Sequence, residues 1–310
     1  MTQHNYISNR PWFGNVLRAL TCAVLALLLL ALVRQCQDCR RAEEVCNMVR
    51  ERTGYDPTVD NLDSIPQIVP PYDEDDTASL PKSVMLEHLF PPIGDQGQYG
   101  TCVAWAVGYN LKTALDAQEL SWGQSELAQP NNQRSPADLW YAIPSYSKGS
   151  NCSGSGFESA FAVLQQTGVS DMQRVPYDAR FNPCAEMAAL GDAQHRIVNY
   201  YLVQKSDGKL PSVTQLKHYL SDSIPLVMGA RLGDNFMLCT SNKVLRNETF
   251  RYTGIHADHA ICIVGYDDSL HAFRLRNSWG TEWGDEGSIW VDYDLLYNSM
   301  CKIIIVASNK

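Results

Sequence analysis

The pattern of apolar and polar positions divides the chain into unlike stretches. Val16 to Val33 is almost wholly apolar, broken by Arg18 and containing the run Leu27-Leu28-Leu29-Leu30. Its length is close to the roughly 20 residues that a bilayer span needs. A signal anchor, a cleaved signal peptide and a buried core helix compete for it. Arg10 and Arg18 form a basic approach, and no small-x-small cleavage site precedes Arg34. These features predict an uncleaved single-pass transmembrane anchor over 14–34 behind a short polar tail, 1–13. An all-round apolar helix before a polar linker has nothing to pack on. Arg34, Arg40 and Arg41 outweigh Arg10 and Arg18, which by charge alone would hold the rest of the chain in the cytoplasm.

Residues 35–79 read as a juxtamembrane linker, rich in Pro, Asp and Glu from Asp56 to Thr77. Beyond it the periodicity becomes helical. Val107, Leu111 and Leu115 recur at helical spacing and predict a buried helix from Cys102 to about Gln118. Ser135-Pro136 opens a second helix, with Asp138 in its first turn, and 156–167 forms a third, stopped at Gly168. Strand-like runs then dominate at 224–228, 260–266, 272–276, 288–292 and 303–307, interrupted by one amphipathic helix from Ser212 to Ser221. Helices first and strands afterwards predict an α+β domain over 80–310, about 80–195 mainly helical and about 196–310 mainly β.

Composition changes this picture little. The chain has 310 residues, 45% of them apolar, and a net charge of −9, which speaks against nucleic acid as a partner. Its 10 cysteines are too sparse for a disulfide scaffold and show no four-ligand zinc spacing. The reading calls for no metal and no cofactor. Cys36 and Cys39 form a Cys-x-x-Cys without a thioredoxin-like strand before it, so a disulfide or an intermolecular bridge is an equal reading.

Candidate chemistry sits at the loop-to-helix junction 94–107. A glycine-broken loop, Asp95 to Thr101, runs into Cys102 at the start of the buried helix. Unpaired N–H groups and the positive helix end stabilise a thiolate there. Gln96 stands close enough in sequence to aim its amide at the same point, as an oxyanion donor beside a nucleophile. Far downstream, His259 enters one strand run and Asn277 leaves the next. If those runs form a hairpin the two side chains meet, and Asn277 fixes the imidazole for its role as base.

At these residues the sequence resembles the papain-like cysteine peptidases. The resemblance is carried by the Gln96-to-Cys102 loop-helix, by Asp258-His259-Ala260, and by Asn277-Ser-Trp-Gly280 with the trailing Trp283-Gly284. It runs from about Leu80, where Leu-Pro-Lys-Ser-Val looks like the start of a mature enzyme, to the C-terminus. It implies a helical and a β-barrel-like subdomain with a cleft between them. Cys102 would be the nucleophile, His259 the proton carrier, Asn277 its orienter, and Gln96 an oxyanion donor. Trp279 would shield the His–Asn pair. Gly154 and Ser155, in a stretch similar to the family's glycine-rich substrate strand, would bind extended peptide.

The implied activity is a membrane-anchored thiol protease acting on peptides or proteins. An exported-peptidase family points the domain outward, so an extracytoplasmic domain is expected despite the charge count. A catalytically weak binding module and a Cys-His acyltransferase or amidase are the alternatives. The sequence departs from the family pattern at Tyr99-Gly-Thr-Cys-Val103, where a cysteine before the nucleophile is missing and Val103 replaces an aromatic. That suits microbial members better than lysosomal ones. Cys152 is thereby left without its usual partner, and Cys184 matches a family cysteine whose partner position has none. The segment before residue 80 looks too short for the family's large helical propeptide, yet long enough to occlude a cleft.

Overall fold

The computed structural model describes residues 11–254 and 257–310, with side chains from residue 24 onward except at residue 50. The chain divides into two compact units, Met1–Glu44 and Val45–Lys310. A 42-residue helix, α1 (Pro11–Arg52), begins in the first unit and ends in the second. In the first unit the run from Val24 to Val33 is exposed along its length. Among the described residues no helix is long and apolar enough to cross a membrane. The expected span, 14–34, includes 14–23, whose side chains lie outside the described residues.

The expected linker, 35–79, takes a different form from a loose tether. Helix α1 continues through it to Arg52. Val45, Thr53, Tyr55 and Ile65 are buried in the second unit. A short strand, β1 (Gln67–Ile68), then pairs in parallel with β3 (Asn199–Val203) at the sheet edge. Backbone groups at a sheet edge are unpaired donors and acceptors, so an extended stretch can dock there without strong hydropathy. Proline and acid content in this stretch could not reveal that.

The expected helices fall where periodicity places them. α2 (102–120) starts at Cys102 and carries a π-helical stretch, Trp105–Lys112, every residue of which is buried. α3 (Pro136–Ala142) is capped by the Ser135 hydroxyl, which accepts from Asp138 N, and α4 (Phe157–Gln166) follows. α5 (Val213–Ser221) has the reciprocal Ser212–Gln215 capping box. Phe157 and Phe161 of α4 and Trp140 of α3 are fully buried, each contributing about 1.5–3 kcal/mol or more by apolar burial.

Among the described residues the sheet has eight strands. Besides β1 and β3 they are β2 (Ser83–Met85), β4 (Leu226–Arg231), β5 (Asp258–Asp267), β6 (Ala272–Arg276), β7 (Ser288–Asp292) and β8 (Cys301–Ser308), in the order β1-β3-β8-β4-β5-β6-β7, with β2 on β5. β5 and β6 form an antiparallel pair, with Cys262 opposite Arg276 and Asp267 opposite Ala272. That pairing brings the start of β5 and the end of β6 to one end of the sheet, where α2 begins. Cys152 and Cys184 bond to each other, Cα atoms 5.6 Å apart, although each was left without an expected partner by the family pattern.

Candidate active site

Three elements meet around Cys102. The thiol begins α2 and is completely buried. Ala260, next to His259 at the head of β5, sends its N–H to Cys102 Sγ at 3.4 Å. His259 Nε2–H donates to Asn277 Oδ1 at 2.8 Å, just past the end of β6. That assignment leaves the lone pair on Nδ1, which has no other partner among the described residues. Ser278 N also donates to Asn277 Oδ1 at 2.8 Å, holding the amide in place. The Trp279 ring lies 4.8 Å from the imidazole and closes the pair off from solvent.

Gln96 lies in the loop before α2 with its amide fixed from both sides. Ser278 Oγ donates to its Oε1 at 2.8 Å, so Nε2 faces the cleft. That nitrogen donates to the Tyr99 carbonyl at 2.8 Å and to the Arg52 carbonyl at 3.0 Å. Ser278 stands inside the quoted Asn-Ser-Trp-Gly motif, but nothing in the sequence assigned it a role. Tyr177 is a second such residue. Its hydroxyl donates to the Gln96 carbonyl at 2.8 Å and lies 2.8 Å from Thr101 Oγ1, tying together both ends of the glycine-containing loop. Thr101 precedes α2 but its hydroxyl makes no capping bond.

The cleft is occupied by the chain itself. Arg52, the last residue of α1, places its carbonyl between Gln96 Nε2 and Trp279 Nε1, which donates at 2.9 Å. Gly54 N and Tyr55 N both donate to the Asp258 carbonyl at 3.3 Å. Ser155 N donates to Gly54 O at 2.9 Å, and Asp56 N donates to Ser155 O at 3.1 Å. Tyr55 and Ser155 therefore pair as parallel strands. The fit is close at backbone level. A Cβ at Gly54 would run into the Gly100 carbonyl, and one at Gly154 would lie 2.5 Å from Gly54 O. The expected substrate residues, Gly154 and Ser155, are thus where an extended peptide already lies.

Occlusion reverses the expected electrostatics. A thiol at a helix start beside an imidazolium was expected to be acidic. Here burial pushes the Cys102 thiol up to about 12, against the lowering effect of N–H groups from Ala260, Val103, Gly54 and Tyr55. Burial likewise brings His259 down to about 4, with the Asn277 hydrogen bond acting the other way. Burial holds both groups neutral, because separating charge in a desolvated site costs more than the pair regains.

The chain is 27% identical over 200 residues to gamete and mating-type specific protein A of Dictyostelium discoideum, covering 63% of this chain and 39% of that protein. It is 26% identical over 222 residues to a cathepsin L-like proteinase of Fasciola hepatica, covering 70% and 60%. The chain thus spans less than two thirds of the length of these curated relatives. Its fold is similar to that of xylellain, a cysteine protease from Xylella fastidiosa, with a TM-score of 0.66 at 24% identity, covering 84% of this chain and 97% of that one. Digestive procathepsin L 3 of Tenebrio molitor superposes with a TM-score of 0.63 at 18% identity, over 86% of this chain and 79% of that one. Residues 83–309 match the model of the papain family cysteine proteases, and with that match the chain belongs to this family.

Proposed function

We propose that this chain is a thiol protease hydrolysing peptide bonds through Cys102, His259 and Asn277, with Gln96 as oxyanion donor, and that residues 52–56 hold it closed. One observation carries the reading. A peptide carbonyl, that of Arg52, already accepts from Gln96 Nε2 beside the buried Cys102 and the hydrogen-bonded His259–Asn277 pair.

With the segment gone, water re-enters and the neutral pair converts to thiolate and imidazolium by transfer of the Cys102 proton to His259 Nδ1. The thiolate attacks the substrate carbonyl carbon. Negative charge develops on the carbonyl oxygen, facing Gln96 Nε2 and the Cys102 backbone N–H at the start of α2. His259 then gives its proton to the departing amine, and in deacylation it takes one from water. Asn277 keeps Nε2–H engaged so that Nδ1 remains the exchanging atom. In the closed state the segment turns the Gly54 and Tyr55 N–H groups towards the Cys102 sulfur, which the Ala260 and Val103 N–H groups also face.

The same reading makes α1 a membrane tether with the catalytic unit extracytoplasmic. It is supported by the apolar run from Val16 and by the exposure of Val24 to Val33. Flotation of the full chain with lipid vesicles tests the tether.

The enzymatic reading is tested on the full chain opened by Gly54→Ala. Peptide hydrolysis is expected to fall about 10⁶-fold in kcat with Cys102→Ser or His259→Ala. Gln96→Ala is expected to cost about 10²–10³-fold. Hydrolysis that persists in Cys102→Ser at the parent rate would sink the assignment.

A further inference from the structure

The Cys36-x-x-Cys39 pair has no part in the site around Cys102, yet it stands in a pattern. Along α1, Leu25, Leu29, Leu32, Cys36 and Cys39 follow one another at intervals of four, three, four and three residues. The same count runs on through Glu43 to Cys46. That alternation is the heptad repeat by which two helices pack along a shared seam. Leu25, Leu29 and Leu32 are each more than half exposed, and Cys36, Cys39 and Cys46 are exposed free thiols. From Arg34 to Glu44, Cys36 and Cys39 are the only exposed side chains that are neither charged nor amides. In the second unit Val45, Met48 and Val49 pack on the core while Cys46 stays exposed.

An independent observation says what covers this seam. Cys152 and Cys184 form a disulfide, a bond that persists in oxidising surroundings, where exposed thiols become paired as well. Among the described residues the exposed thiols are those of α1 alone, and three cannot pair among themselves without one left over. In two parallel helices in register each seam residue faces its own copy, so every seam thiol meets a thiol. We propose that two copies of this chain pair through α1, parallel and in register, and are joined by disulfides from Cys36 to Cys36 and from Cys39 to Cys39. Both bridges lie beyond the expected membrane span, 14–34, and need no catalytic activity. Glu43 opposes the pairing, since it holds a seam position and faces its own like charge. Each bridge forms by exchange with a small-molecule disulfide such as oxidised glutathione. A thiolate of one chain attacks it and expels one glutathione thiolate, and the same cysteine of the second chain expels the other. Two protein thiols are oxidised, one glutathione disulfide is reduced, and the two protons pass to the glutathione thiolates.

The full chain, isotope-labelled and unlabelled copies mixed in detergent, is equilibrated in a glutathione redox buffer, alkylated and digested with trypsin. Disulfide-linked peptides are then read by mass spectrometry, where mixed-isotope links are those between copies. Trypsin leaves Cys36 and Cys39 together in 35–40 and Cys46 in 42–50. The links expected are 35–40 to 35–40, each cysteine bridged to its own copy, and 42–50 to 42–50, all with mixed isotopes. The facing of Glu43 by Glu43 gives a second readout. When labelled parent is mixed with unlabelled Glu43→Lys, opposite charges meet only in the mixed pair, so its share of the links is expected to rise above the random value of about one half. Glu43→Leu, which completes the seam, is expected to raise the linked fraction of dilute chain about threefold. Closure of 35–40 on itself by a Cys36–Cys39 bond, links of 35–40 to 42–50, or glutathione-capped monomer alone would overturn the pairing. So would a mixed share that stays at one half with Glu43→Lys.

Discussion

Residues 24–33 and 52–65 carry opposite sequences and meet opposite fates. The first is an unbroken apolar run, yet Val24, Leu27, Leu29 and Val33 all stand exposed. The second is mixed and largely polar, with Pro57 inside it and Pro66 just beyond, yet Thr53, Tyr55 and Ile65 are buried and its backbone is stitched to both walls of the cleft. Hydropathy states what a segment would gain by leaving water. Whether it leaves depends on a complementary surface, and for residues 52–56 that surface is made of backbone groups at Asp258, Ser155 and Gly100. Hydrogen bonds, close approach at glycine and the buried Tyr55 ring together hold the polar stretch in place.

The most direct way to break this contrast is to spoil the backbone fit. Gly54→Ala drives a Cβ into the Gly100 carbonyl and forfeits the bonds of Gly54, Tyr55 and Asp56, worth about 1 kcal/mol each. Alkylation of Cys102 in the full chain is expected to accelerate by about a thousandfold, read by mass spectrometry of the labelled peptide. An unchanged rate would mean that the segment does not guard the thiol.

A smaller effect comes from pH. His259, lowered to about 4 in the closed state, stabilises closure fully above its ordinary value near 6.5, and that stabilisation is lost as pH falls through 4. The loss is about 3 kcal/mol. Cys102, raised to about 12, has the opposite sense: its stabilisation is complete below its ordinary value near 9 and disappears as pH climbs towards 12. Asp60, raised chiefly by burial, binds its proton more tightly when closed and so resists acid opening. Hydrogen exchange at Gly54 and Tyr55 is therefore expected to show greatest protection between about pH 6.5 and 9, with Asp60→Asn making the acid limb steeper. Protection that rises steadily into acid would contradict the assignment to His259.

The smallest effect is expected in the exposed run. Leu28→Glu should leave the melting of the second unit within about 0.5 kcal/mol of the parent, since Leu28 is exposed in the first. Its vesicle flotation should drop. Together those outcomes would mark the apolar stretch as serving a surface outside the fold, while a large loss of stability would show that it packs.

Much of the candidate site was legible because its parts are local. Cys102 at a loop-to-helix start, the helical spacing of Val107, Leu111 and Leu115, and the strand character of 260–266 and 272–276 each follow from a short window. The β5–β6 hairpin then forces His259 and Asn277 to one end of the sheet. Ser278 and Tyr177 were not legible as positioning groups, because their partner Gln96 lies far away in sequence and a hydroxyl gives no pattern of its own. The Cys152–Cys184 bond escaped for a similar reason, since only folding decides which two cysteines come within reach.

The sequence by itself determined the chemistry available: a thiol at a helix terminus, an imidazole with an amide partner, and an amide donor upstream. These rest on residue type and short-range periodicity, which survive any arrangement of the remaining chain. The tertiary structure alone decided the state of that chemistry. It laid residues 52–56 across the thiol, seated the Asp60 carboxylate on a helix end about a hundred residues away, and held Cys102 and His259 neutral by drying them. Desolvation depends on everything that surrounds a group in space, and a single sequence window does not contain it.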